Sequence, residues 1–592
     1  MRSNTFFAIL SSLALVASAC GPAGQSPAPN SGGGGVTVAT PNASSNTTPA
    51  ATTGTPTGAP QPTTAAKPAA QPTTAPAQTS AQPSGPQEIT VNALQGEPDN
   101  LDPSRSSFAT EAAVIRLVFE TLLVFDKDLK PGPGAATSFD VSQDGKTYTF
   151  HLKPDARWSD GQPVTAKDWV YSFKRILNPD TAAEYATFFS EAGIVGAAEY
   201  AAGKGDADEV GIRAKDDNTV EFQLKAPIGY FPNLVALWVV PPLRQDLVTK
   251  TGWAQDPSTF IGNGPFKMSE WVHQDHITLV PNPNYSGDKP KLQKITMLMV
   301  SSGAADYAAY RNNERDWTLV PDADVNSVRN DPQMSKEAHE YTELTTFWLI
   351  MNNGKGPLDN PMFRKAISRA IDRQAMIRDI ASGVGKPATS FIPPGMPGYQ
   401  SDLGQDIDFN AAAAKDLLKQ AGYGEGLKPV PPLRFRFATT TANQTRAEFI
   451  QAQLKQNLGI DVQLESMEAK AYQAAYKAKD YDLAWGGWGA DYPDPQNWMT
   501  GLFGCDASNN KYNYCNKQFD EAATRGDTGT DLNQRLQAYA QAQQILANDV
   551  PVAPLFFRGR MVLVKPWVQK MVITPKDDYP GWSLLKNVFL TR

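Results

Sequence analysis

The chain has 592 residues, with 54 Lys plus Arg against 61 Asp plus Glu and a formal net charge of −7. Residues 1–87 hold only Arg2 and Lys67, so the remainder sets 52 basic against 61 acidic side chains, a balance that argues against a nucleic-acid partner. With four histidines, three cysteines and no HExxH, GxSxG or GxxxxGK[ST] motif, the composition points to a binder and not an enzyme, with no metal or organic cofactor expected.

In chain order, MRSNTFFAILSSLALVASAC comes first. Arg2 gives a positive start, Phe6 to Val16 is apolar but too short to span a bilayer, and Ala17, Ser18 and Ala19 precede Cys20. The layout resembles a bacterial lipoprotein signal, although Ala17 stands where leucine is usual. Removal of residues 1–19, lipidation of Cys20 and a membrane hold through that lipid alone are expected. Residues 20–87 are Ala, Pro, Thr, Gly, Ser, Gln and Asn with almost no charge or large apolar side chain, which predicts a disordered tether. Its typical span is roughly 45 Å.

Beyond residue 87 the pattern is that of a large α/β protein of two or three domains. Period-two alternation predicts strands over 146–153 and 218–225. His273 and His276 have metal-like spacing, but three residues apart on a strand they point to opposite faces, so no metal site is expected. Residues 361–380 place Phe363, Ile367, Ala370, Ile371, Ile377 and Ile380 on one helical stripe between Asn360-Pro361 and Gly383. A second helix runs from the Asn410 cap to Gly422, and a third passes from Ala447 into a strand at Ile460–Leu464. Cys505 and Cys515, ten residues apart, are expected to form a local disulfide.

The stretch WGGWGADYPDP (485–495) joins two tryptophans, bare backbone and two aspartates. Gly486, Gly487, Gly489 and Ala490 leave main-chain groups open to strand addition by an extended peptide. A glycine-rich turn beside a core tryptophan is the equal alternative from the residues alone. Asp494 is read as the cap of the turn before Pro495.

Several segments resemble the bacterial extracellular solute-binding proteins of family 5, the capture subunits of peptide and nickel importers. They are EPDNLDPSRSSFATEAAVIRLVFETLLVFDKDLKPGPGAA (97–136), YTFHLKPDARWSDGQPVTAKDWVYSFKRILNP (148–179), IGNGPFKMSEW (261–271), NNGKGPLDNPMFRKAISRAIDR (352–373), DLAWGGWGADYPDPQNWM (482–499) and RMVLVKPWV (560–568). Within the family the oligopeptide-binding branch is the nearest likeness. The resemblance implies a two-lobed periplasmic-binding-protein-like fold of class II type, with three domains, a hinge and a ligand cleft. Lobe 1 would comprise 88–132, 258–343 and 553–592, with 133–257 inserted and packed on it; lobe 2 would be 344–552.

The resemblance makes Asp491 the partner of a peptide's α-amine, with Trp488 and Gly489 bordering the peptide backbone. Trp485, Gly487 and Ala490 join them as candidate ligand contacts. Of Phe347 and Trp348, neighbours on a strand, one should face the cleft and one the core. This chain departs from enterobacterial relatives at Trp485 (an arginine there), Ala469 (a pocket tryptophan) and the pair Thr345 and Gly489 (two bridged cysteines). The expected function is capture of extracytoplasmic oligopeptides by a monomeric, lipid-anchored subunit serving an ABC import permease. The alternatives are a dipeptide, nickel-chelate or oligosaccharide ligand on the same scaffold, or a peptide-sensing role.

Overall fold

The computed structural model describes residues 81–576 and 582–592. The signal segment, Cys20 and the tether as far as residue 80 lie outside the described residues. Thr79–Arg592 forms one compact unit. The fold begins earlier than the expected tether boundary at 87. Ser84 bridges to Thr591, and the Gln87 side chain donates to Leu590 O at 3.0 Å and accepts from Leu590 N at 2.9 Å.

Three larger sheets, beside two two-stranded ones, organise the unit among the described residues. Glu88–Val91, Lys294–Leu298, His276–Pro281 and Phe266–Val272 form a four-stranded sheet in that spatial order. A second four-stranded sheet joins Ala136–Val141, Thr147–Leu152, Thr219–Gln223 and Ile212–Asp216, all antiparallel. Its middle strands alternate in burial, with Tyr148, Phe150, Val220 and Phe222 inside, as period two requires. The helix Ala166–Leu177 covers this sheet through Trp169, Phe173, Ile176 and Leu177, and its start is set by the Thr165–Asp168 capping box. These two sheets share one hydrophobic core.

The third sheet has seven strands and carries helices on both faces. Its middle is a pair of long antiparallel strands, Ala338–Met351 and Val552–Val564. Leu349 and Met351 enter the core on one face and Trp348 and Ile350 the core on the other. The register of the pair slips between Thr342 and Thr346, an irregularity that re-aims Glu343, Leu344 and Thr345.

Several elements differ from expectation. The 361–380 stripe is two helices, Pro361–Arg369 and Arg373–Ile380, because Asp372 accepts from Ala375 N at 2.9 Å and caps a new start. The third helix begins at Thr441, capped by Thr440, and the strand after it is Val462–Met467. His273 and His276 do not share a strand. They flank a hairpin turn, where His273 meets Glu97 at 2.7 Å and His276 meets Asp275 at 2.7 Å. Each ring has its own carboxylate partner, and the two gather at no common point.

Candidate functional site: a cleft ending at Asp491

The strand Leu483–Gly489 runs antiparallel to Ala338–Met351, setting Gly489 opposite Thr345, Gly487 opposite Phe347 and Trp485 opposite Leu349. On its other edge it pairs with Leu433–Ala438 only at Leu483 and Ala484. Among the described residues, the edge from 485 to 489 therefore has no strand partner. Gly487 and Gly489 are exposed there, so their main chain is open to an incoming strand.

The glycines do not all serve that edge. A Cβ on Gly486 would lie 2.4 Å from Ile350 Cδ1, and one on Gly487 would lie 2.6 Å from Phe347 Cδ1 and 2.8 Å from Thr346 O. Their smallness is demanded by the neighbouring strand. On Gly489 the nearest atom would be Thr345 Oγ1 at 3.2 Å, so that position is constrained far less.

The tryptophans are structural in this arrangement. Trp485 is buried beside Phe347 (ring centroids 5.6 Å) and beneath the Arg446 guanidinium at 5.2 Å. Phe347 is half-buried in the same stack, which Phe556 completes at 5.1 Å. Trp348 points to the opposite face and is 1% exposed. The split expected of these neighbours thus appears as one core ring and one half-buried ring, and neither lines the pocket at Asp491. Trp488 also lies off that pocket; its indole N–H donates to Asn497 Oδ1 at 2.9 Å.

The pocket forms where the strand ends. It is a cavity of about 160 Å³, walled by Ser107, Arg116, Tyr185, Glu343, Asp491 and Lys576, with the backbone of Gly489 and Ala490. The wall thus draws on the helix Ala109–Val118, the register slip at Glu343 and the segment carrying Tyr185. Asp491 is held from three sides: Tyr185 Oη donates to Oδ1 at 2.6 Å, Asn497 Nδ2 donates to Oδ2 at 3.1 Å, and Asp491 N donates to Asn497 Oδ1 at 3.0 Å. Lys576 Nζ donates to Ala490 O at 3.2 Å. Withdrawal from water pushes the Asp491 carboxyl above the usual carboxylate range, against the opposing pull of the Tyr185 hydroxyl, Lys576 and Asn497. Burial, followed by the Asp491 charge, pushes the Tyr185 phenol well up.

Asp494 caps the short turn Pro495–Asn497 by accepting from Gln496 N at 3.0 Å, as read from the sequence. It also makes a buried two-pronged pair with Arg535, at 2.7 and 3.0 Å, that sequence reasoning missed. Arg535 lies 41 residues away, and nothing local signals it. Tyr185 was missed for the same reason: it comes from a segment more than 300 residues distant. Cys505 and Cys515 are joined as a disulfide. Asp520 lies beside them, but the bonded sulfurs leave no thiolates to hold a metal.

A multi-domain α/β architecture with a carboxylate at the end of an open strand edge is the architecture of a periplasmic solute-binding protein. The chain belongs to the bacterial extracellular solute-binding proteins, family 5, whose model matches residues 130–510. It is 31% identical over 495 residues to the oligopeptide-binding protein OppA of Bacillus subtilis, covering 81% of this chain and 89% of that protein. The Escherichia coli murein tripeptide binding protein MppA superposes with a TM-score of 0.73 at 29% identity, over 86% of this chain and 99% of that one. Haemophilus influenzae OppA, solved in complex with the peptide RPPGFSPFR, gives 0.71 at 30% identity over 86% and 100%.

Proposed function

We propose that the protein captures extracytoplasmic peptides in the cleft between its lobes and passes them to the permease of an ABC importer. The lobes are those read from the sequence: 88–132 with 258–343 and 553–592, carrying the insert 133–257, against 344–552. The observation that carries the reading is Asp491, a carboxylate drawn out of water at the end of an unpaired strand edge. A peptide laid along Gly487–Gly489 would bond through its backbone, whatever its side chains, and place its ammonium against Asp491. Trp485 and Phe347 pack one face of that strand pair, and Trp348 and Trp488 the other. No step of capture and release calls for a cofactor. A monomer held at the membrane by a lipid on Cys20 is the arrangement that serves such delivery, with the tether giving it reach.

The test is native mass spectrometry of the protein, refolded to remove carried ligand, with equal tetrapeptide pools that are free or N-acetylated. Selective capture of free-amine peptides is expected. Asp491→Ala should weaken it a hundredfold or more, since stranding one partner of a buried ion pair costs about 3–5 kcal/mol. Equal capture of both pools would remove the Asp491 role. Capture of neither would favour another solute on the same scaffold.

A further inference from the structure

We propose that the cleft prefers peptides carrying a lysine or arginine at one of their first two positions, and that Glu191 selects it. The inference rests on the peptide reading above, with the ammonium at Asp491. A second cavity, of about 40 Å³, lies beside that anchor, with Phe188, Glu191, Tyr230, Trp488, Tyr492 and Asn497 in its wall. Asn497 joins the two places: its Nδ2 donates to Asp491 Oδ2 at 3.1 Å, and its Oδ1 accepts from the Trp488 indole at 2.9 Å. Phe188 stacks on Tyr185, the phenol that holds Asp491, with ring centroids 5.0 Å apart. The cavity is thus one side chain removed from the amine anchor, and its volume admits the charged end of a ligand side chain.

The wall itself is selective. Phe188 meets Tyr492 edge-on at 6.1 Å, and Tyr492 lies parallel to Tyr230 at 6.3 Å, so aromatic surface dominates it. Glu191 is the one charged residue among the described residues of the wall. Its backbone is fixed as the C-cap of the short helix Ala186–Ser190, where its N–H donates to Thr187 O at 2.9 Å. Its carboxylate has no hydrogen-bond or ion-pair partner among the described residues. Crowding by protein alone raises that carboxyl above the usual range, and no cation draws it down. Its charge reaches Tyr230, whose phenol is pushed well up by burial and then by Asp527, Asp494 and Glu191, against the pull of Arg535. Of these acids, Asp494 has Arg535 at 2.7 Å, and Asp527 accepts from Tyr539 at 2.7 Å and Thr500 at 2.6 Å. Glu191 is the one left to pair with what enters. An ammonium or guanidinium group would find a counter-charge there and a cation–π surface beside it. A neutral side chain gains neither, and an acidic one meets like charge. Successive side chains of an extended peptide point opposite ways, so one of the first two positions enters the cavity and the other turns from it.

The experiment measures affinities by calorimetry on the protein refolded to remove carried ligand. It compares Lys-Ala-Ala-Ala with norleucine-Ala-Ala-Ala, and Ala-Lys-Ala-Ala with Ala-norleucine-Ala-Ala, norleucine being lysine without its ammonium. One pair should favour lysine about fivefold, and the other should not discriminate. The preference should shrink with added salt. It should vanish in Glu191→Gln, a change at an exposed position, with the norleucine affinities unaltered. Equal affinities within both pairs would overturn the inference while leaving peptide capture intact. So would an equal lysine preference in both pairs, which would mark a general attraction of cations, or a preference that survives in Glu191→Gln. Failure to bind any of the four peptides would overturn the inference together with the peptide reading.

Discussion

Withdrawal from water outweighs the opposing pull of Tyr185, Lys576 and Asn497 on the Asp491 carboxyl, so the ligand-free protein holds a proton on it more tightly than a free aspartate would. By linkage, that raised affinity favours the empty fold at low pH, and the benefit is lost as pH rises through the shifted titration. A peptide ammonium acts the other way, because it pairs only with the ionised form. Affinity for free-amine peptides should therefore fall on acidification, beginning above the range of an ordinary aspartate, with proton release on binding in that window. Calorimetry in buffers of different ionisation enthalpy reads the release directly. Asp491→Asn should abolish it, and an unchanged proton count in that variant would assign the titration to another group. The importance of Asp491 was legible from its Asp-Tyr-Pro-Asp-Pro context and the family resemblance. Its partner Tyr185 was not, because a hydrogen bond between residues 306 apart leaves no local pattern.

At the scale of the element, the strand Leu483–Gly489 answers both readings of its glycines. Gly487 is exposed on the open edge, yet its missing Cβ is required by Phe347 and the Thr346 carbonyl. Gly487→Ala must displace backbone and should cost about 1–3 kcal/mol, whereas Gly489→Ala should cost less. Urea unfolding of both variants checks the order, and equal losses would show that the edge relaxes around the new methyl. The helix stripe over 361–380 was visible as a periodicity. Its break at Asp372 was not, since a capping aspartate within an apolar repeat reads equally as an exposed helical position.

For the whole molecule, two of the contacts between the sheet module Ala136–Gln223, with its following loop, and the seven-stranded module bear on the site. One is the Tyr185–Asp491 bond. The other is at Gly229 and Tyr230, where the Tyr230 ring lies 6.3 Å from Tyr492, parallel to within 2°, and 5.8 Å from the Arg535 guanidinium. A Cβ on Gly229 would stand 2.6 Å from Gly529 O and 2.9 Å from Arg535 Cδ. Gly229→Val should thus hold the lobes apart with little effect within either. Solution scattering should show a larger radius with ligand present than in the unsubstituted protein, and peptide affinity should fall. A normal radius and normal affinity would mean that this contact does not govern closure.

The sequence by itself determined the α/β class, the alternating strands, the helix cap at Asn410, the tether-like composition and, through resemblance, the family and its aspartate. These are carried by short-range pattern: period, capping chemistry, composition and motif spacing. Only the tertiary structure decided which glycine faces the cleft, that Trp485 and Trp348 belong to packed cores, and that Tyr185, Arg116, Glu343 and Lys576 meet around Asp491. Those facts depend on the register between strands and on contacts between segments hundreds of residues apart. A side chain's neighbours across such a distance are set by how the sheets stack and the lobes close, and no local pattern encodes them.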